Sequence, residues 1–223
     1  DTFKESGYHT GYVGKWHLSG KSEKGPFIPK GRGRMGFDDW HIWYDTNDHY
    51  NSWTYDPDTG AKIQPKGYNL TLMTDQAVEF LNNQTKDKPW LLVLSWNPQH
   101  PPFNPPRESL DMYKPEELKP RPNVKLLPDA TGPLLNELVS PESLHVAECA
   151  YYGSITAVDK EFARVLKTLD DAGMGENTIV VYTSDHGEMM GSHGFTGKEL
   201  PHEESCRVPF FVRYPGVTPK GNS

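Results

Sequence analysis

Cysteine is scarce in this chain of 223 residues, which contains only Cys149 and Cys206. Two cysteines cannot build a disulfide framework, and this pair does not have the spacing of a zinc site. Long apolar runs are also missing, because no stretch approaches the ~18 consecutive apolar residues of a membrane span. Residues 1–6 lack the charged-then-apolar layout of a signal peptide. We therefore predict a chain without a membrane span, in which both cysteines are buried thiols.

An excess of positive charge is missing as well. The chain has 23 Lys and Arg against 30 Asp and Glu, which gives a formal net charge of -7. Proteins that bind nucleic acids or other polyanions usually carry a basic face, so this balance argues against nucleic acid as a partner. Any anion that the protein handles must be bound by a few local cations.

The pattern of apolar residues predicts an α/β fold. Four short runs rich in β-branched and aromatic residues have the length of strands, at residues 10–14, 90–96, 178–184 and 208–214. Helical periodicity marks residues 69–81, with Asn69 as a candidate cap, and a long helix from Ser140-Pro141 to Gly173. Alternating strands and helices predict a mostly parallel sheet covered by helices on both faces, within a single domain over residues 1–223.

Two segments show neither the pattern of a strand nor the periodicity of a helix. Residues 98–141 have proline at nearly every fourth position and predict a long surface loop. Residues 31–60 concentrate tryptophan and tyrosine among Asp, Asn and His. These aromatic rings could stack on sugar rings, although aromatic side chains more often fill a core.

The residue types that suit anion chemistry follow the ends of the predicted strands. In an open parallel sheet, ligands bind outside the carboxyl ends of the strands. Three strand ends lead to two lysines, three histidines and one aspartate: Lys15, His17, His100, Asp185, His186 and Lys198. We therefore expect these six side chains to meet at one edge, around an anionic oxyester and a metal ion.

These residue types match the needs of sulfate or phosphate transfer. The transferred group spreads negative charge over its peripheral oxygens, which Lys15 and Lys198 could stabilise. The leaving alkoxide needs a proton from His100 or Lys198, and His17 could act as a base on the nucleophile side. Asp185 and His186 are candidate ligands of a divalent metal.

Four blocks of the sequence resemble the signatures of the type I sulfatases, in the same order. Residues 7–18, GYHTGYVGKWHL, are similar to the long second signature of that family. Residues 95–103, SWNPQHPPF, and residues 177–188, NTIVVYTSDHGE, resemble two further blocks. The fourth block is Gly197-Lys198 with residues 203–209, so the resemblance extends along the whole chain.

The resemblance implies the fold of the alkaline-phosphatase superfamily and hydrolysis of a small-molecule or oligosaccharide sulfate ester, with a sulfated carbohydrate as the expected substrate. Lys15 would hold the sulfate and the nucleophile, and His17 would help to release sulfate from the covalent intermediate. His100 and Lys198 would bind sulfate and protonate the leaving alcohol. Asp185 and His186 would bind the metal, usually Ca²⁺ in this family. Many relatives have asparagine in place of His186, so Mn²⁺ or another divalent ion stays open.

The sequence departs from the family pattern at the nucleophile. Sulfatases use a formylglycine made from Cys or Ser in a Cys/Ser-x-Pro/Ala-x-Arg motif, and the residues after Cys149 and Cys206 do not fit that motif. We therefore expect an internal fragment of a catalytic domain, without the nucleophile segment and the carboxy-terminal subdomain, and inactive alone. The resemblance also implies a periplasmic, secreted or lysosomal location.

Two other functions stay open at this point. A phosphonate monoester or phosphodiester hydrolase of the same superfamily would share the Asp-His pair but tends to lack the Lys and His of the second signature. A non-catalytic relative could bind an anion without turning it over. The sequence does not define the oligomeric state.

Overall fold

The computed structural model describes residues 2–18, 27–44, 46–125, 141–198, 200–219 and 221. Its strands are β1 (His9–Lys15), β2 (Asp39–Tyr44), β3 (Trp53–Tyr55), β4 (Lys62–Ile63), β5 (Trp90–Ser95), β6 (Val180–Thr183) and β7 (Phe210–Arg213). Its helices are α1 (Thr2–Glu5), α2 (Asn69–Asn82), α3 (Arg107–Leu110), α4 (Pro141–Asp171) and α5 (Glu203–Cys206). None of the described helices combines the length and the apolar character needed to cross a membrane.

The chain forms two compact units. The first comprises Asp1–Pro106 and Ser154–Met174, and the second comprises Arg107–Gly153 and Gly175–Ser223. Helix α4 therefore contributes its first half to the second unit and its second half to the first.

A five-stranded sheet in the order β4-β3-β2-β1-β5 forms the centre of the first unit. Strand β1 pairs in parallel with both β2 and β5, and the register aligns Gly14 with Ser95. Strands β3 and β4 extend the sheet by antiparallel pairing. The predicted parallel sheet is thus confirmed at β1 and β5, and the aromatic segment supplies two further strands, β2 and β3, that periodicity did not reveal.

Side chains that alternate along β1 and β2 divide the core between the two faces of this sheet. On one face, Val13 and Trp43 pack with Met73 of α2. On the other face, Tyr12 packs with Trp40 and with residues after β1 and before β2; these are Trp16, Ile28 and Phe37. Trp40 and Trp43 are each 3% exposed, so the core explanation of these two aromatic residues is correct.

Both predicted helices are present. Helix α2 begins at Asn69, but Tyr68 is its N-cap residue, and the Asn69 side chain is buried and bonds to other segments. The prediction that Asn69 caps the helix is therefore wrong. Helix α4 ends two residues before Gly173, whose φ of +63° suits the glycine that stops a helix. Thr71 of α2 donates a 3.0 Å hydrogen bond to Glu161 of α4, so these helices pack together in the first unit.

The second unit contains a separate two-stranded sheet. Strands β6 and β7 pair antiparallel, with Val181 opposite Val212 and Thr183 opposite Phe210. The expectation that these two runs continue the parallel sheet is corrected, because β6 pairs antiparallel with β7, the next strand of the same unit. Both strands also expose apolar side chains, in contrast to the predicted strand buried on both faces; Val181, Phe210 and Phe211 are each more than half exposed.

Over its described part, residues 98–125, the segment predicted as a proline-rich loop contains α3 and the 3-10 turn Pro115–Glu117 as its only helical segments. Residues 126–140 of the predicted loop lie outside the described residues, as does Ser140 at the predicted start of the long helix. Cys149 is buried as predicted, but Cys206 is exposed, so that prediction is wrong for Cys206.

Candidate functional site

Lys15 is the last residue of β1 and lies at the carboxyl edge of the three parallel strands. Gly14 precedes it with φ of +114°, and a Cβ at Gly14 would lie 2.0 Å from the carbonyl oxygen of Ser95. Only glycine permits β1 and β5 to approach this closely. The Tyr12 hydroxyl donates a hydrogen bond to the Lys15 carbonyl, which holds the end of the strand.

His17 follows β1 on an irregular backbone. Its φ of +52° is in the left-handed region, and its side chain is exposed. The residue between it and Lys15 is the buried Trp16, whose ring packs against Tyr12 and Trp40 at centroid distances of 4.9 and 4.8 Å. Because Trp16 anchors the chain at this point, Lys15 and His17 stay at the edge of the sheet.

His100 lies in the loop that follows β5, the neighbour of β1. Its Nδ1 lies 2.7 Å from the carbonyl oxygen of Pro101, which can only accept, so Nδ1 carries the proton. In a neutral imidazole Nε2 is then the basic nitrogen, and in an imidazolium Nε2 can donate a proton. The His100 amide donates to the Asn97 carbonyl at 3.0 Å, which closes a turn.

Asp185 and His186 follow β6 in the second unit. The Asp185 side chain is 86% exposed, and its Oδ1 accepts a 3.0 Å hydrogen bond from the His186 amide. His186 Nδ1 donates to the Gly187 carbonyl at 2.7 Å, and His186 Nε2 lies 3.6 Å from Asp185 Oδ2. A Cβ at Gly187 would lie 2.0 Å from the Glu204 carbonyl oxygen, so only glycine fits there.

Lys198 is held near this turn by the Glu188 carboxylate. Glu188 Oε1 accepts hydrogen bonds from the amides of Met190 and Gly197, the latter at 2.5 Å. The Met189 amide also donates to the Gly197 carbonyl at 2.9 Å. These bonds tie the segment before Lys198 to the segment that follows Asp185 and His186, and the Lys198 side chain is half-buried.

The Asp185 and His186 side chains fit a divalent metal as two ligands. The proton on His186 Nδ1 leaves Nε2 as the nitrogen that can coordinate, and it lies beside the Asp185 carboxylate. One carboxylate and one imidazole suit Ca²⁺ less well than an all-oxygen set, and suit Mn²⁺ or another transition metal better. Among the described side chains, no group of three or more His, Cys, Asp or Glu could hold a metal, so this pair would need further ligands.

The structure brings the six candidate residues together in two groups. Lys15, His17 and His100 belong to the carboxyl edge of the first unit, and Asp185, His186 and Lys198 belong to one turn region of the second. That all six surround one bound anion and one cation stays a prediction.

Sequence reasoning missed a buried polar network behind His100. His49 is 1% exposed, and its Nε2 lies 2.9 Å from the His100 carbonyl oxygen. The Asn97 and Asn69 amides both donate to the Thr46 carbonyl, at 2.9 and 3.0 Å. Hydrophobic periodicity could not predict that His49 is buried, because His49 lies in an irregular part of the aromatic segment.

Comparison with known proteins gives consistent matches. The family model described as Sulfatase matches residues 1–223. An ulvan-active sulfatase of Formosa agariphila is 38% identical over 97% of this chain and 40% of its own length, and an arylsulfatase of Clostridium perfringens is 32% identical over 98% and 52%. A solved Bacteroides thetaiotaomicron structure, from work on the metabolism of multiple glycosaminoglycans, superposes with a TM-score of 0.80 at 27% identity, over 97% of this chain and 47% of its own. The chain thus spans about half the length of these relatives.

Proposed function

Because this chain belongs to the sulfatase family, we propose that the protein containing it hydrolyses a sulfate monoester with the help of a divalent metal. The observation that carries the proposal is the placement of Lys15 and His100. Lys15 ends β1 and His100 follows the neighbouring parallel strand β5, at the same edge of the sheet. This edge is the position where open parallel sheets bind their ligands.

Each residue of the first unit would have one task. The Lys15 ammonium would bind a peripheral sulfate oxygen and stabilise the negative charge that develops there. His100, with its Nδ1 proton bound by the Pro101 carbonyl, would present Nε2 to the leaving oxygen and protonate it. The exposed His17 would accept a proton on the nucleophile side and so assist release of sulfate.

The second unit would supply the metal ligands and a second cation. Asp185 and His186 would hold the metal, with Ca²⁺ as the proposed ion and Mn²⁺ as the alternative that the imidazole favours. When bound, the metal would polarise oxygen atoms at the reacting centre. Lys198 would bind sulfate and assist His100 in protonating the leaving alcohol.

The nucleophile in this proposal is a formylglycine supplied from outside residues 1–223. Neither cysteine of the chain has the flanking residues of the formylglycine motif. Cys149 is also buried, and burial raises the pKa of its thiol, which disfavours the reactive thiolate. The residues described above would therefore bind and protonate, while the attacking group belongs to another part of the protein.

We propose a sulfated carbohydrate as the substrate class. The ulvan-active relative and the glycosaminoglycan context of the solved structure support this choice. Action outside the cytosol, in the periplasm, in a secreted form or in a lysosome, is proposed on the family resemblance. Cell fractionation followed by immunoblotting would test it, and recovery in the cytosolic fraction alone would contradict it.

The function is tested by comparing substrates of matched leaving group. The complete protein, with its nucleophile converted to formylglycine, is assayed on 4-nitrophenyl sulfate and on 4-nitrophenyl phenylphosphonate, and then on sulfated oligosaccharides. We expect a higher kcat/KM for the sulfate and release of inorganic sulfate from the oligosaccharides. A higher kcat/KM for the phosphonate would contradict the proposal and would favour the alternative function, phosphonate monoester hydrolysis. Binding of sulfated sugar without turnover would replace it with a non-catalytic anion-binding role.

A further inference from the structure

The His100 loop is held from behind by a buried histidine. His49 belongs to the irregular segment between β2 and β3, and its side chain is 1% exposed. Its Nε2 lies 2.9 Å from the main-chain carbonyl oxygen of His100, 51 residues further along the chain. The buried His49 imidazole therefore contacts the main chain of a candidate catalytic residue.

The partners of His49 define its tautomer. The His100 carbonyl can only accept, so His49 Nε2 must carry a hydrogen. Burial, opposed more weakly by hydrogen bonds and by the nearby Asp48 carboxylate, lowers the pKa of His49 and keeps the ring neutral near pH 7. A neutral ring has one N–H, so Nδ1 carries a lone pair, and it faces the Asn69 amide nitrogen at 3.5 Å.

Asn69 locks His49 in this orientation from the start of α2. Its main-chain amide donates to the His49 carbonyl at 2.8 Å. Its side-chain amide donates to the Thr46 carbonyl at 3.0 Å and to the Ser52 hydroxyl at 2.8 Å. Thr46 and Ser52, which flank His49 in the chain, are therefore both bonded to the first residue of α2. This attachment makes His49 a rigid support.

The loop that bears His100 is attached to this support at Asn97 and at His100. At its beginning, the Asn97 side chain donates to the Thr46 carbonyl at 2.9 Å. Three residues later, the His100 carbonyl accepts from His49. The first bond places the loop, and the second holds the His100–Pro101 peptide, which adjoins the Cα atom that bears the imidazole.

We propose that His49 is a positioning residue that orients His100 through the Nε2–H bond to its main-chain carbonyl. The inference rests on the proposed function of His100 as the proton donor to the leaving group. A displacement of a proton donor by about 1 Å can lower a rate by ~10–100-fold, so loss of the bond should lower kcat measurably. His49 itself would touch neither substrate nor metal.

The test uses two variants of the complete protein that differ in one donor. His49→Gln places an amide N–H where Nε2–H lies, whereas His49→Phe keeps the ring and removes the donor. We expect His49→Phe to lower kcat on 4-nitrophenyl sulfate by about 10-fold or more with little change in KM, and His49→Gln to stay within about 3-fold of the native protein. His41→Phe, at a half-buried histidine of β2, is the matched control and should leave kcat unchanged.

A double variant separates positioning from general stability. If His49 acts through His100, His49→Phe should change kcat by less than about 2-fold when His100 is already alanine. An equal loss of kcat in the native and the His100→Ala backgrounds would overturn the proposal. Should His49→Phe not fold, His49→Asn takes its place, because its shorter amide cannot reach the His100 carbonyl.

Amide hydrogen exchange gives a readout that does not depend on activity. Peptides covering residues 96–104 should exchange faster in His49→Phe than in His49→Gln or the native protein. Unchanged exchange in this segment would overturn the tether, even in an active enzyme. Failure of the native protein to hydrolyse any sulfate ester would instead contradict the proposed function, while the exchange data still report on the tether.

Discussion

Gly14 and Ser95 lie opposite each other in the parallel strands β1 and β5, and a Cβ at Gly14 would lie 2.0 Å from the Ser95 carbonyl oxygen. Gly14 immediately precedes Lys15 in β1, and Ser95 is the last residue of β5, just before the loop that bears His100. The contact therefore determines how near the two candidate anion-binding segments can come. Since the clashing atom is main chain, no side-chain movement could accommodate a larger residue.

Replacement of Gly14 by alanine should lower the free energy of unfolding by about 3 kcal/mol, because it adds a steric clash to a strained φ of +114°. Denaturant unfolding measures the loss. Gly7→Ala is the matched control, since Gly7 also has a positive φ but open space around its Cβ position, and it should cost about 1 kcal/mol. Equal losses in the two variants would contradict the close approach.

Arg34 should be a major contributor to stability. It is 2% exposed, its guanidinium donates to the Ile28 and Pro57 carbonyls, and it lies over the Trp40 ring at 5.7 Å. Arg34→Ala would leave both carbonyls unpaired and should cost about 3 kcal/mol in unfolding free energy. The exposed neighbour Arg32 is the control, and Arg32→Ala should cost less than about 0.5 kcal/mol. A loss below 1 kcal/mol for Arg34→Ala would show that the bonds are dispensable.

The buried His49 should make stability depend on pH. Because burial lowers its pKa below 6.5, the unfolded chain takes up a proton that the native protein resists. Stability should therefore be complete above pH 6.5 and fall as the pH drops from 6.5 towards the native pKa, by at most ~1.4 kcal/mol per pH unit. Unfolding curves at several pH values between 7.5 and 5 measure the slope.

His49→Gln should flatten that slope, and comparison at each pH isolates the contribution of this one group. Burial also lowers the pKa of His41, so a second part of the slope remains and should disappear in His41→Gln. An unchanged slope in His49→Gln would mean that the imidazole titrates equally in the native and unfolded states.

Loss of a candidate proton donor or anion ligand should lower turnover strongly. His100→Ala and Lys198→Ala should each reduce kcat on an aryl sulfate by ~100-fold or more, which is the scale of a lost general acid or oxyanion donor. Steady-state kinetics of the complete protein provide the measurement. Lys119→Ala removes an exposed lysine of the proline-rich loop and should leave kcat unchanged. Near-native turnover in both His100→Ala and Lys198→Ala would refute their assigned roles.

Metal removal should abolish turnover, and Asp185→Asn should weaken metal binding because it removes the anionic ligand. Elemental analysis after dialysis measures the metal content directly, and re-addition of Ca²⁺ or Mn²⁺ to the chelated protein identifies the effective ion. Asp171→Asn is the control, since Asp171 is an exposed carboxylate that pairs with Lys167. Equal metal content in the Asp185 and Asp171 variants would exclude Asp185 as a ligand.

Local patterns predicted much of this structure because they depend on near neighbours in the chain. The apolar run at residues 90–96 became β5, Trp90–Ser95, and the helical periodicity at residues 69–81 became α2, Asn69–Asn82. The pairing of β6 with β7 was not predictable in this way. Strand length and composition do not specify the partner of a strand, which depends on contacts distant in sequence.

The position of Asn69 shows the same limit at the scale of one side chain. An Asn at the start of an amphipathic helix is a typical cap, yet this side chain bonds to Thr46 and Ser52 instead. The tertiary fold brings those acceptors within hydrogen-bond distance of the Asn69 amide. Because this amide is buried away from water, it bonds to these protein acceptors.

The sequence by itself determined the family, the order of the four signature blocks and the identity of the six candidate residues, because these properties depend on residue type and spacing alone. Only the tertiary structure decided that β1 and β5 are neighbours, that Gly14 meets the Ser95 carbonyl, and that His49 supports His100. The physical reason is that hydrogen bonds and packing act over a few ångströms in space, whereas these partners are separated by 51 or more residues along the chain.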